Sequence, residues 1–406
     1  MAQERADKPK NPRSLRRQAR EVADSLAIAF ILAMIIRHYV LEVFKIPTKS
    51  MEPTLLGDPW SGDKILVNKF AYDFRDPDRW EIAVFKYPKD TSKNYIKRIV
   101  ALPGESVRVR YGDLYINGAI ARKPWGVQEA LWRLTPHSDN PQAWGLIRPD
   151  GTETDLAGRE AALDCTREGG EMALRYRPRI LAYEAPPGHP PARRVRDILI
   201  SDVMADFQLV PHERAGALTI EIAVTFPDSS PANAANVLDR WEVKLPLDRE
   251  EAAAEVWRSG APFAVAAPCR VPIGRRTRLQ VCTVDQAVIV RIGGREVLNQ
   301  PYPPSPRADE WASFVNQAHL RIRARDANVT LREPRVYVDV YYTDTDGPHE
   351  HAVRAPFQLG PDEFFAMGDN SVNSNDSRSW RQVPRSYLVG EAFLVLWPLG
   401  RMKFVR

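Results

Sequence analysis

Three short strings in this 406-residue chain bring together residue types that can do chemistry. The first, Ile46-Pro47-Thr48-Lys49-Ser50-Met51-Glu52-Pro53-Thr54-Leu55, carries two hydroxyls two residues apart. The second, Tyr95-Ile96-Lys97-Arg98-Ile99-Val100-Ala101-Leu102-Pro103-Gly104-Glu105, sets two cations among apolar neighbours. The third lies far downstream: Met367-Gly368-Asp369-Asn370, followed by Ser374, Asp376, Ser377 and Arg378. A nucleophile, a base to take its proton and donors for a developing oxyanion are the parts of covalent acyl transfer. Taken singly, each string has a plainer meaning. A lone loop Ser is a solvated turn residue, a strand Lys is most often exposed, and the third string reads locally as a polar turn.

Together, in this order and behind a basic and then apolar N-terminus, the strings resemble type I signal peptidases. These are membrane-bound serine proteases that cut signal peptides from exported proteins. The resemblance covers roughly the first 120 residues and the last 55. It implies Ser50 as nucleophile, with the Thr48 hydroxyl and the Ser50 backbone N–H as oxyanion donors. Alternation along a strand puts Lys97 and Arg98 on opposite faces, so only one is expected to face the core. The resemblance selects Lys97 as general base, matching the first member of the family's Lys-Arg pair; Arg is permanently charged and cannot serve. A lysine base must be neutral, so desolvation must bring its pKa down from about 10.4. Ser374 is implied to hydrogen-bond and orient that lysine, with Asp376 and Arg378 as an ion pair beneath it. A signal peptide would add as a strand against residues 44–48 and 94–97, lined by Phe44, Ile46, Pro47, Asn94, Tyr95 and Ile96, with small residues at −1 and −3.

The chain also departs from the family pattern. Lys49 stands where a glycine is usual, so the backbone there cannot need a glycine-only conformation, and its side chain should face solvent. Ser371-Val372 replaces a frequent Arg-Asp. No His stands near either end-block in a triad-like context, so a Ser-His-Asp arrangement is not expected. No metal or organic cofactor is implied. The two histidines of His349-Glu350-His351 are only two apart in a polar loop and do not read as a metal site.

The elements that must position these residues read as strands. Lys64–Val67, Glu81–Phe85, Asn94–Val100, Ser106–Arg110, Leu114–Ile116 and Glu391–Trp397 alternate between turn signals, and Asn117-Gly118 is a hairpin turn. The fold class is therefore mainly β, with the all-β protease fold that the resemblance implies. Ahead of it, Arg5, Lys8, Lys10, Arg13, Arg16, Arg17 and Arg20 precede an apolar run, Leu26–Ile36. Val22 to Leu41 is long enough, as a helix, to span a bilayer, with Arg37 and His38 near its outer end. The basic flank then puts the N-terminus in the cytoplasm and the rest outside the inner membrane. The expected divisions are 1–41 as tail and anchor, 42–125 plus 351–406 as catalytic unit, and 126–350 as an insertion.

Within the insertion, residues 126–195 carry no clear pattern, and Pro186-Pro187-Gly188-His189-Pro190-Pro191 precedes a regular series of strand-like runs. These are Leu218–Phe226, Arg278–Thr283, Ala287–Ile292, His319–Arg323 and Arg335–Tyr342, with a turn at Gly293-Gly294. They suggest a β-sandwich whose closing strands resemble concanavalin-like jelly rolls. Cys165, Cys269 and Cys282 all fall in this middle. A Cys269–Cys282 disulfide and three free thiols both remain open. The net charge of +5 is spread along the chain without a nucleic-acid module, so the expected partners are signal peptides, membrane lipid and the secretion translocon, not nucleic acid. The competing reading is a membrane-anchored, lectin-like binding protein on an inactive scaffold, and preprotein cleavage discriminates the two.

Overall fold

Alternating apolar residues between Gly- and Pro-bounded turns make strands the dominant element of this chain. The computed structural model describes residues 12–35, 40–168, 170–182, 200–226, 229–303, 317–343 and 349–405, and the protein is mainly β. One long helix, Pro12–Ile35, precedes the sheets, with Val22, Leu26, Ile28 and Phe30 exposed along it. The expected apolar helix from Val22 to Leu41 is corrected here. The described part of the helix runs to Ile35, Leu41 opens a strand in place of the expected helical end, and residues 36–39, with Arg37 and His38, lie outside the described residues. Arg17, Arg20, Glu21 and Asp24 take up its earlier turns. No helix among the described residues is long and apolar enough to cross a membrane.

The first sheet is built from both ends of the chain. Its strands β1 (Leu41–Lys45), β2 (Lys64–Asn68), β3 (Ile82–Tyr87) and β4 (Asp90–Ala101) combine with Leu388–Trp397, which inserts between β2 and β3, and with Glu363–Met367, which pairs with β4. A second, four-stranded sheet holds β5 (Ser106–Arg110), β6 (Asp113–Ile116), β7 (Ala119–Ile120) and Phe357–Gln358. Asn117 and Gly118 turn the β6–β7 hairpin with φ of 52° and 81°, the paired positive values that a type I′ turn needs.

Strand β4 serves more than one core. Ile96 packs against the cluster of Ile46, Met51, Ile65 and Val84; Ile99 lies with Phe85 and Phe364; Val100 lies with Val107 and Tyr342. Its last five residues, Lys97 to Ala101, are all buried. The expectation that only one of Lys97 and Arg98 faces a core is therefore wrong: both faces of the strand are covered, and the two cations are 4% and 0% exposed.

The chain leaves these clusters after Leu131, and Val340 and Tyr342 rejoin them. Between those points two sheets enclose one large apolar cluster whose buried members all fall between Ala143 and Val338. One sheet centres on Gln317–Arg325, flanked by Glu171–Tyr176 and Ala217–Thr225; the other on Val203–Pro211, flanked by Asn328–Val338 and Thr277–Val284. The structured part of the insertion is thus tighter than 126–350. Leu131, Val340 and Tyr342 belong to the core that holds Trp80 and Phe365, because their side chains pack there. Residues 126–182, patternless in sequence, supply most of one short helix, a second at Cys165–Glu168 and several strands, while Pro186–Pro191 and residues 344–348 lie outside the described residues. All three cysteines are free: Cys282 is packed with Met204 and Ile289, and Cys269 faces the Ala252 carbonyl instead of Cys282.

Candidate active site

Ser50 sits in a single 3₁₀ turn, Lys49–Met51, entered from the extended Thr48. Two packing events fix that turn. Met51 and Leu55 are fully buried in the cluster beneath β1 and β2, which pulls the turn onto the sheet. On its other side, Asn370 clamps it, its backbone N–H donating to the Ser50 carbonyl at 3.0 Å and its Nδ2 to the Lys49 carbonyl at 3.1 Å. Two glycines make the fit possible. A Cβ on Gly368 would fall 2.5 Å from the Ser50 carbonyl oxygen and 2.2 Å from Ser374 Oγ; one on Gly57 would fall 1.7 Å from the Thr48 carbonyl oxygen. Neither position has room for a side chain.

Lys97 reaches this turn from β4. Its Nζ lies 2.8 Å from Ser50 Oγ and 2.8 Å from the Ile96 carbonyl oxygen, with the Tyr95 ring centroid 5.6 Å away. Both residues are buried, Ser50 at 5% exposure. Burial disfavours the ammonium and lowers the Lys97 pKa to about 8; Asp376 and Asp369 oppose the shift, and Arg378 adds to it. Thr48 is exposed, with its Oγ1 3.4 Å from Ser50 Oγ. Lys49 is exposed.

Behind the lysine lie two buried ion pairs. Asp376 and Arg378 meet side-on, Nε to Oδ1 at 2.9 Å and Nη2 to Oδ2 at 2.7 Å, both 0% exposed. The remaining guanidinium hydrogens go to the Thr343 carbonyl, the Ser371 hydroxyl and the Ser371 carbonyl, so Ser371 is built into this support. Burial would raise the Asp376 pKa, but Arg378 outweighs it and holds the carboxyl below its usual range. The second pair was not foreseen. Arg98 binds Asp369 through Nε at 2.8 Å and Nη2 at 2.7 Å, and Thr54 donates to the same carboxylate at 2.6 Å. Arg98 and Asp369 are also fully buried. The only sequence signal for this pair was that both residues stand inside the quoted strings.

Two expectations about individual residues change. Ser374 is buried near Gly368, but its hydroxyl makes no hydrogen bond to Lys97; it lies on the Asp376 side, where it helps keep that carboxyl ionised. The lysine instead spends its contacts on Ser50 and the Ile96 carbonyl. Ile46, expected to line a binding groove, is 2% exposed and belongs to the core; its backbone is already held, N–H to the Asp63 carbonyl and carbonyl from the Asp58 N–H. Phe44 and Ile96 pack half-buried against the same cluster from opposite edges, while Pro47 and Asn94 are exposed and Tyr95 stacks on Tyr87 with centroids 4.2 Å apart. Among the described residues, no strand lies beside the outer edge of β4 before Arg98, since Glu363–Met367 pairs only with residues 98–101.

The chain has known relatives. It is 40% identical over 146 residues to signal peptidase I of Pseudomonas aeruginosa, which is 32% of this chain and 50% of that protein. It is 44% identical over 104 residues to the probable signal peptidase I-2 of Synechocystis, 24% of this chain and 45% of that protein. The chain thus spans about half the length of the curated relatives it matches. Among solved structures, a protein of unknown function with a galectin-like fold from Bacillus subtilis covers 51% of this chain at 9% identity and a TM-score of 0.33, a likeness too loose to argue from. The family model of signal peptidase, peptidase S26, matches residues 19–138 and 315–397, half of the chain, the second segment taking in the insertion strands Gln317–Arg325 and Asn328–Val338, and the chain belongs to that family.

Proposed function

We propose that the protein is an active type I signal peptidase, cutting signal peptides from exported preproteins by a Ser50/Lys97 dyad. The observation that carries this reading is the 2.8 Å approach of Lys97 Nζ to Ser50 Oγ in a buried setting that brings the lysine's pKa to about 8. Near that pH a good fraction of the lysine is neutral, and its lone pair can take the Ser50 proton as the hydroxyl attacks the scissile carbonyl. The carbonyl oxygen, becoming an oxyanion, receives the Ser50 N–H and the Thr48 hydroxyl; the lysine then returns the proton to the leaving amine. Water repeats the cycle on the acyl-enzyme.

The preprotein lies as an extra strand between the segments 44–48, where the backbone of Ile46 is already engaged, and 94–97, with Phe44, Tyr95 and Ile96 shaping shallow pockets that suit small residues at −1 and −3. Ser374, Asp376 and Arg378 fix the floor behind the base. The N-terminal segment attaches the protein to the membrane with its basic end inside and residues 42–406 outside, beside lipid and the translocon. The catalytic unit is 42–125 plus 351–406, joined by Leu131, Val340 and Tyr342 that pack into its core, and the inserted sandwich, read from its closing strands, is a separate jelly roll of concanavalin type.

The test is cleavage of a model preprotein by the purified chain in detergent. Ser50→Ala and Lys97→Ala should each lower kcat/KM by about 10⁴-fold or more, and the double variant should be scarcely worse, because the two act as a unit. Substantial turnover by Lys97→Ala removes the lysine from the chemistry. Inactivity of the wild-type chain on every signal peptide tried would favour a binding protein.

A further inference from the structure

Outside the site around Ser50, a group of aspartates gathers where the insertion meets the core. Asp113 comes from β6, Lys123 from the segment after β7, and Asp202, Asp285 and Asp339 from or beside insertion strands. One carboxylate oxygen each from Asp113, Asp202 and Asp285 lies within 4.8 Å of the others. Lys123 Nζ is the counterion, 2.6 Å from Asp285 and 3.0 Å from Asp339. The Asp285 N–H donates to Asp202 at 3.0 Å, the Lys123 N–H to Asp285 at 3.2 Å and the Ser201 hydroxyl to Asp202 at 3.3 Å. Among the described residues, no hydrogen bond or ion pair reaches the Asp113 carboxylate. Four carboxylates therefore share one ammonium in a region where Lys123, Asp285 and Asp339 are all at most 5% exposed. Burying that excess is costly unless further positive charge arrives.

A second observation points to the same place. Gln128, 1% exposed, reaches into the cluster and donates from Nε2 to Asp339 at 2.6 Å, while its carbonyl oxygen is buried with no donor. Tyr342, also 1% exposed, feels the charges of Asp369 and Arg98 on one side and of Lys123 and Asp339 on the other, and its hydroxyl has no partner. Every candidate donor atom is oxygen, which selects hard cations and disfavours zinc or copper. Calcium, which takes six to eight oxygens in a flexible geometry, suits an irregular donor set of this kind better than magnesium, which demands a near-ideal octahedron. Asp113 and Asp202 are only half-buried, which leaves a side open for water to complete the shell.

We propose that Asp113, Asp202 and Asp285 form a calcium-class divalent cation site that fastens the insertion to the protease core. The ion joins one carboxylate of the core to two of the insertion and cuts the cluster's excess charge from three negative to one. The site is separate from the cleavage chemistry, so its test does not depend on activity.

The experiment is thermal unfolding of the chelator-stripped full chain at pH 7.5, with calcium chloride, magnesium chloride or EGTA. Calcium at about a hundredfold above its Kd should raise Tm by roughly 5 °C, and magnesium should do less. Asp113→Asn and Asp202→Asn should each abolish the calcium shift while melting cooperatively in EGTA. Asp113→Asn is the safer variant, since Asp113 takes no part in the Lys123 ion pairs. A wild-type Tm indifferent to calcium overturns the proposal, as does a shift that survives in both variants. Stability that changes between pH 6 and 8 but not with calcium also overturns it, because protons would then hold the excess charge.

Discussion

Two buried lysines stand in polar clusters of the same molecule and are driven in opposite directions. Around Lys97, each nearby carboxylate already has its own arginine: Asp376 is held by Arg378, and Asp369 by Arg98, both through two parallel hydrogen bonds. The lysine has a serine hydroxyl and a backbone carbonyl and no anion of its own, so burial dominates and its pKa falls to about 8. Lys123 is buried as deeply, and burial alone would push its pKa down too, yet Asp285 and Asp339 bind it directly and hold it well above the ordinary value. Burial therefore does not by itself make a lysine a base. What makes one is burial combined with arginines that occupy every nearby anion.

The sharpest way to break this contrast is to free one of those anions. Arg378→Met leaves Asp376 buried without its partner and makes Lys97 its nearest cation. The Lys97 pKa should rise by about 1–2 units, and cleavage at pH 7 should fall roughly 10–100-fold, with recovery as the pH is raised. The readout is the acid limb of kcat/KM against pH. The single variant is also expected to lose about 3–5 kcal/mol of stability. Asp376→Asn with Arg378→Met removes both charges and should bring the limb back near pH 8. A limb that stays put in the single variant would mean that the arginine does not set the lysine's charge.

A second comparison is thermodynamic. The unfolded Lys97 titrates near 10.5 and the folded one near 8, so below about 8 the folded state carries an ammonium it disfavours. Lys97→Met should then abolish cleavage yet stabilise the protein at pH 7, on the order of 3 kcal/mol. In the wild type, stability should rise with pH between about 8 and 10.5, where the unfolded state holds the extra proton. Lys123→Met should do the reverse and destabilise by about 3–5 kcal/mol, because it leaves buried carboxylates unpaired. Denaturant melts of both variants at pH 7 check the two signs.

The same contrast explains what the sequence made legible. Ser50, Lys97, Ser374, Asp376 and Arg378 sit in three compact strings, and the fold brings those strings together at one point. The burial of Arg98 was missed because two-residue alternation presumes a strand with one solvated face, whereas the end of β4 is covered on both. The expected Ser374–Lys97 bond does not form, because a shared motif does not fix a hydroxyl's rotamer. The Asp113, Asp202, Asp285 and Asp339 cluster left no local signal at all, since each aspartate alone reads as a polar turn or a strand end. The strands were legible from alternation, but the edges of the insertion were not, because Leu131, Val340 and Tyr342 pack into a core made by distant residues.

The smallest expected effect is that of removing the insertion. Its apolar cluster is its own, and its two ends leave the core side by side: Arg133 and Leu134 pair antiparallel with Val338 and Tyr337. Chain ends already paired as a hairpin can be joined by a loop of about four residues, so residues 135–336 can be replaced without stretching the core. Two consequences must be handled. Trp132 loses its packing against Met204 and Cys282, so Trp132→Ser should accompany the deletion; Lys123 loses Asp285 but becomes solvated, which removes the need for a buried counterion. None of the contacts among Ser50, Lys97, Asp369, Asp376, Arg98 and Arg378 passes through the deleted residues. Cleavage of a short signal-peptide substrate should therefore stay within about tenfold of the full chain, the scale expected when only peripheral positioning is disturbed. A deletion protein that melts cooperatively but cannot cut the short peptide would show that the insertion helps to hold the dyad. The independence of the two cores, and with it the view of the acidic cluster as a fastening between separable bodies, would then have to be given up.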